Sequence, residues 1–203
     1  MKLPITPPLL PMEAETASEL PTGPEWQYEP KWDGFRCLAF RDGERIDLQS
    51  KAAKPLTRYF PELAGDLLTL RAERFVLDGE IVVPVEGTLS FDDLLQRIHP
   101  AESRIRKLAD ATPASLIVFD LLVNETGRLL TPLPLAERRK ALERFAARYL
   151  HARPRVHLSP ATRELSEARG WFKRVGEGLD GIIAKRLDLP YQAGQRGGML
   201  KIK

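Results

Sequence analysis

Apolar and polar positions alternate through FRCLAF (35–40) and RIDLQS (45–50), either side of Arg41-Asp42-Gly43-Glu44. Two period-2 runs joined through Asp-Gly predict a β-hairpin. Residues 58–72 space their apolar positions as a helix does, and FVLDGEIVVPV predicts a strand from Phe75 to Val85. Ser90, with Asp93 three positions on, is placed to cap a short helix that runs to about His99. ASLIVFDLLV predicts an apolar strand from Ala114 to Val123, and an amphipathic helix follows from Leu135 to Tyr149. A second helix is expected over Arg163 to Val175, then two short strands at GIIAKR and MLKIK. Strands outnumber helices and do not alternate with them regularly. The expected class is therefore α+β, with antiparallel sheets flanked by helices, and a doubly wound parallel sheet fits poorly. Residues 1–24 carry Pro4, Pro7, Pro8, Pro11, Pro21 and Pro24 and read as an extended proline-rich arm on the surface of the domain that fills 25–203.

Composition narrows the chemistry. With 43% hydrophobic and 29% charged residues over 203 positions, the chain can bury a sizeable core. A net charge of +3 is too small to argue for nucleic acid by itself. Cys37 stands alone, so a disulfide or a cysteine zinc site within the chain is excluded, and its place in an alternating run marks it as a buried small hydrophobe. His99, His151 and His157 have no ligand spacing and are expected at the surface or in a second layer. No apolar run reaches the length of a membrane span and the start lacks the apolar region of a signal peptide. A cytoplasmic protein with no membrane partner is the expectation.

Four short segments concentrate reactive groups. In EPKWDGFR (29–36), Lys31 follows a proline where a strand gives way to a turn, crowded by Trp32, Asp33 and Arg36. A lysine is a covalent nucleophile only when neutral. From a free pKa near ~10.4, roughly one amine in a thousand or fewer is neutral at pH 7, so neighbouring cations or a metal ion are needed to help. The available lysines are Lys185, Lys201 and Lys203. In LDGE (77–80), Asp78 and Glu80 share one face of an apolar strand, which is costly unless they bind something; a turn at Asp78-Gly79 is the plainer alternative. Phe119-Asp120 ends a strand, where Phe119 taken singly is core. In KIK (201–203) the two lysines share a face that taken singly is solvated.

The order of these segments carries more than any one of them. KWDG at Lys31, Ser50, LDGE at 77–80, Phe119-Asp120, DGIIAK at 180–185 and KIK at 201–203 resemble the successive motifs of the covalent nucleotidyltransferases, which comprise ATP-dependent DNA ligases, RNA ligases and mRNA capping enzymes. The resemblance runs from Glu29 to Lys203. YEPKWDGFRCLAF, LTRYFPEL, QRIHP and GLDGIIAKRLDLPY look like the small bacterial ATP-dependent ligases of the ligase C type, relatives of the ligase domain in bacterial end-joining proteins. It implies an adenylation domain with an ATP-grasp-like fold. It also implies a DNA ligase that uses ATP and Mg²⁺ (or Mn²⁺) to seal nicked double-stranded DNA in repair, as a monomer near the nucleoid and with possible repair partners. An RNA ligase or GTP-dependent capping enzyme is the runner-up, and a DNA-end-binding module without catalysis is a third reading that intact Lys31, Glu80 and Lys201 disfavour.

Residue by residue, the resemblance implies that Lys31 attacks the α-phosphate. Glu29 and Pro30 then lie at the adenine edge, and Trp32 and Ser50 beside the nucleotide. Arg36 meets ribose and phosphates, and Phe119 stacks on adenine. Lys185, Lys201 and Lys203 contact phosphate, and Glu80, supported by Asp78, holds ribose or metal. Arg36, Lys51 and Arg196 become candidates for DNA contact. Two departures matter. The acid of the fourth motif should precede its lysine by five residues, which selects Asp180 for Lys185 and makes Glu177 a decoy. Asp is one methylene shorter than the usual Glu, so its contact to Mg²⁺ passes through water. Ser-Lys-Ala-Ala at 50–53 replaces the usual Ser-Arg-Asn-Gly, and Lys51 keeps the charge of arginine without its bidentate fork. Ligases of this kind continue into an OB-fold domain after KxK, so the expectation is a catalytic domain without its OB-fold.

Overall fold

The computed structural model describes residues 2–151 and 154–203, so the first residue of the proline-rich arm lies outside the described residues. In chain order the elements are β1 (Glu13–Thr16), β2 (Trp26–Trp32), β3 (Phe35–Asp42), β4 (Arg45–Ser50), α1 (Pro61–Leu68), β5 (Arg74–Val82), β6 (Pro84–Val85), β7 (Thr88–Leu89), α2 (Phe91–Gln96), α3 (Glu102–Ala111), β8 (Ser115–Val123), α4 (Leu135–Tyr149), β9 (Val156–Leu158), α5 (Leu165–Trp171), β10 (Leu179–Arg186) and β11 (Arg196–Ile202). One sheet has the order β1-β11-β10-β2 and the other β4-β3-β5-β8-β9.

The sidedness of the strands stacks these sheets. In β3, Cys37 and Ala39 face a core shared with Leu63 and Leu67 of α1 and Leu142 and Phe145 of α4. Leu38 and Phe40 point the other way, into a second core with Val76, Leu122, Met12 and Met199. A third core, of Tyr28, Ile182, Ala184 and Ile202, packs under Ala168 of α5. The layers therefore run helix, sheet, sheet, helix, and β3 reads as a continuous apolar run because both of its faces are covered. Each buried Leu or Phe contributes roughly 1.5–3 kcal/mol relative to exposure. Asp78 and Glu80 fall on the face of β5 that also carries Val76, so they point between the two sheets.

Several expected elements change at prolines. The helix expected over 58–72 is a 3₁₀ turn (Thr57–Tyr59) followed by α1, which opens on Pro61, where the missing N–H costs nothing. The strand expected to Val85 ends at Val82, and Pro84-Val85 pairs instead with Thr88-Leu89. Ser90 caps α2, accepting from the Asp93 amide. The sheets are not purely antiparallel, since one outer pair in each, β1 with β11 and β8 with β9, is parallel. The proline-rich arm is more than a surface segment, because Leu3 and Met12 are buried and Glu13–Thr16 supplies the strand beside β11. No helix among the described residues is long and apolar enough to cross a membrane.

Candidate active site

Both sheets contribute to one cleft of about 260 Å³. On β2, Gln27, Glu29 and Lys31 alternate with Tyr28, whose ring is buried on the α5 side. Lys31 reaches the end of that strand just before the chain crosses to the other sheet at Asp33-Gly34. Gly34 is required there, because a Cβ would come within 2.2 Å of the Ile81 carbonyl oxygen. The cleft is walled by Glu29, Pro30, Lys31 and Trp32 from β2 and its end, Arg36 from β3, Glu80 from β5, Phe119 from β8, Lys185 from β10, and Lys201 and Lys203 at the end of β11, with Lys51 at its edge.

Lys31 Nζ donates to Asp180 Oδ2 at 2.5 Å, and Lys203 Nζ donates to the same oxygen at 2.7 Å. Burial raises the Asp180 carboxyl, but the hydrogen bonds from Lys203 and Lys31 and their charges outweigh it, so it titrates below the usual carboxylate range. Glu177, the competing acid, is exposed in the turn before β10 and pairs with Arg174 at 3.8 Å. Gly181, beside Asp180, has φ +125°, and a Cβ there would meet the Ile202 carbonyl oxygen at 2.0 Å. That close approach ties the Asp-Gly pair to the KIK strand.

Deeper in the cleft, Glu29 is 2% exposed and accepts from Gln27 Nε2 at 2.9 Å and Lys185 Nζ at 2.7 Å. Lys185 Nζ and the Arg36 guanidinium lie 4.5 and 4.7 Å from the centre of the Phe119 ring. Burial pushes the Glu80 carboxyl up to about 8, against the pull of the Arg36 and Lys31 charges, which act on it without a hydrogen bond. Among the described residues no group of three or more His, Cys, Asp or Glu could hold a metal by itself.

Two expectations are corrected. Asp78 does not support Glu80: it is fully buried and both of its oxygens are taken, by Arg36 Nε and Nη2 at 2.5 and 2.7 Å and by the Tyr191 hydroxyl at 2.7 Å. It fixes Arg36 instead. Ser50 is absent from the wall of the Lys31 cleft. β4 ends there and turns, so Ser50 lines an adjoining groove with Lys51, Lys54, Phe35 and Tyr59 that meets the cleft at Arg36 and Glu80. Arg196 lies at the rim, 3.5 Å from Glu13, which also pairs with Lys51 at 2.8 Å. Sequence reasoning missed Glu13, Ala14, Ile183 and Met199 in the cleft wall.

The geometry, a strand lysine meeting an acid and further lysines between two sheets, is that of a covalent nucleotidyltransferase. The family model described as ATP dependent DNA ligase domain matches residues 11–203, and the chain belongs to that family. It is similar to DNA ligase C2 of Mycolicibacterium smegmatis, 48% identical over 208 residues, and to DNA ligase C of Mycobacterium tuberculosis, 46% identical over 209. All of this chain aligns in both, and it spans 56% of each of those proteins. Among solved structures, a mycobacterial DNA ligase D complexed with ATP and MES superposes with TM-score 0.75 at 29% identity, covering 96% of this chain and 60% of that one. The bacteriophage T7 ATP-dependent DNA ligase, in complex with ATP, shares the fold at TM-score 0.62 and 16% identity, over 95% of this chain and 68% of that one.

Proposed function

We propose that this chain is the adenylation domain of an ATP-dependent DNA ligase and that Lys31 carries AMP from ATP to DNA. The observation that supports this most strongly is the convergence of Lys31 and Lys203, two wall residues of the cleft that holds Phe119, on Asp180. In the first step the neutral Lys31 amine attacks the α-phosphorus of ATP. An N–P bond forms, the bond to pyrophosphate breaks and the amine proton is released. Asp180 orients the amine, while Lys185, Lys201 and Lys203 offset charge on the phosphates. Phe119 gives adenine a stacking face, and the buried Glu29–Lys185 pair offers polar groups to its edge. Next, a 5′-phosphate oxygen at a DNA nick attacks the same phosphorus and frees Lys31. The 3′-hydroxyl then attacks that 5′-phosphate, joining the strands and releasing AMP. Lys51 and Arg196 stand at or near the rim as partners for the DNA backbone, while Arg36, held deeper by Asp78, faces the nucleotide.

Glu80 fits a divalent cation, being a half-buried carboxylate on the cleft wall that no hydrogen bond neutralises. With Asp180 it would hold Mg²⁺ or Mn²⁺ together with waters and substrate phosphates, as so few protein carboxylates require. When bound, the ion supplies positive charge beside the reacting phosphate.

The test is incubation with α-labelled ATP or GTP and the divalent metal, followed by denaturing electrophoresis. Acid-labile label from ATP alone is expected, and release of that label on addition of nicked duplex DNA. Label from GTP, or none from either, would contradict the reading.

A further inference from the structure

We propose that Ser159 is a positioning residue for Lys31, acting through the indole N–H of Trp32; the proposal rests on Lys31 being the nucleophile. Lys31 sits where its strand is poorly held. Pro30 has no N–H to give to the ladder, and the pairing of β2 with β10 loses register between Leu179 and Ile182, opposite Lys31. Backbone pairing therefore fixes this end of β2 less firmly than its start. A side chain makes up the difference. Trp32 Nε1 donates to Ser159 Oγ at 3.0 Å, across 127 residues of sequence.

Ser159 is a suitable anchor because it is buried and its backbone is bonded on two sides. It is 0% exposed, its amide donates to the Val118 carbonyl at 2.8 Å, and its own carbonyl accepts from Arg139 Nη2 of α4 at 3.0 Å. Val118 is the neighbour of Phe119. Three residues further on, Thr162 exchanges both backbone hydrogen bonds with Tyr28 of β2, at 2.8 and 2.9 Å. The segment 156–162 thus leaves the edge of one sheet at β9 and reaches the edge of the other at β2. It grips β2 on both sides of Lys31, by backbone at Tyr28 and by side chain at Trp32. The distance between the nucleophile and the Phe119 strand is set through this strap.

A small displacement of an attacking atom costs rate far more than affinity. The experiment is single-turnover formation of lysyl-AMP by the wild-type chain, Trp32→Phe, Ser159→Ala and the double variant, with ATP affinity and thermal melting measured alongside. Trp32→Phe keeps an aromatic ring but loses the donor together with part of the indole, so it removes the same contact from the other side and keeps the test open if Ser159→Ala fails to fold. Expected is a loss of about tenfold in rate for either variant, ATP affinity within about twofold of wild type, and no further loss in the double variant, since both remove one contact. Wild-type rate in Trp32→Phe, additive losses, or a change in ATP affinity with rate retained would overturn the positioning role alone. Absence of any adduct in the wild type would overturn the functional reading and this proposal together.

Discussion

Lys31 and Lys203 lie at the ends of strands in the same sheet and donate to one oxygen of Asp180. A carboxylate shared in this way holds the amines of Lys31 and Lys203 close together at the cleft. Asp180→Ala should therefore cripple lysyl-AMP formation, and Glu177→Ala should leave it close to normal. Initial rates with labelled ATP check this, and the opposite ranking would show that the acid of the fourth motif is Glu177.

Phe119 lines the cleft with the Arg36 and Lys185 cations near its ring and, among the described residues, no aromatic partner. Phe119→Ala should weaken ATP binding by about 1–3 kcal/mol, the range for base–aromatic stacking. Unchanged affinity in a calorimetric titration would reduce Phe119 to a wall residue.

Much of this was legible in the sequence because strands with two covered faces or a strict period-2 pattern announce themselves. β3, β8 and α4 lie where their patterns placed them, α4 to the residue. Short edge strands do not announce themselves: β1 and β9 are EAET and VHL, too brief and polar to show a period. α3 buries only Ile105 and Ala109 and has no side-chain cap, so the helical signal in ESRIRKLADA is weak. Motif order brought the lysines and acids together, but motifs do not tell which carboxylate is already paired. Asp78 and Glu80 look equivalent in LDGE, and only the approach of Arg36 and Tyr191 separates the structural acid from the accessible one. The link between Trp32 and Ser159 has no local signature at all.

Gly34→Ala should destabilise the fold by about 1–3 kcal/mol, as overpacking does, because its Cβ would press on the Ile81 backbone and on Glu80 Cγ. The same push falls on the neighbour of the nucleophile strand, so adenylation should fall as well. A denaturant midpoint equal to wild type would show that the crossing from β2 to β3 has room to spare.

Glu80 gives a pH signature in metal-free buffer. Its folded pKa, raised by burial to about 8, lies above the unfolded value of 4.5. The stability it allows is thus fully present below about 4.5 and is lost as pH rises through about 8. Glu80→Gln should melt at a temperature that gains on wild type between pH 5 and pH 9. A constant difference between the two melting curves across that range would mean that Glu80 titrates as an ordinary exposed carboxylate.

The central claim is that one lysine, Lys31, takes AMP covalently. Peptide mapping by mass spectrometry after incubation with ATP and Mg²⁺ tests it directly, in wild type and in Lys31→Ala, whose circular dichroism should be unchanged because the Lys31 side chain is only partly buried. The account predicts the added mass of AMP on the peptide that contains Lys31, and none anywhere in Lys31→Ala. Adduct on Lys185, Lys201 or Lys203, or adduct that survives in Lys31→Ala, would contradict it.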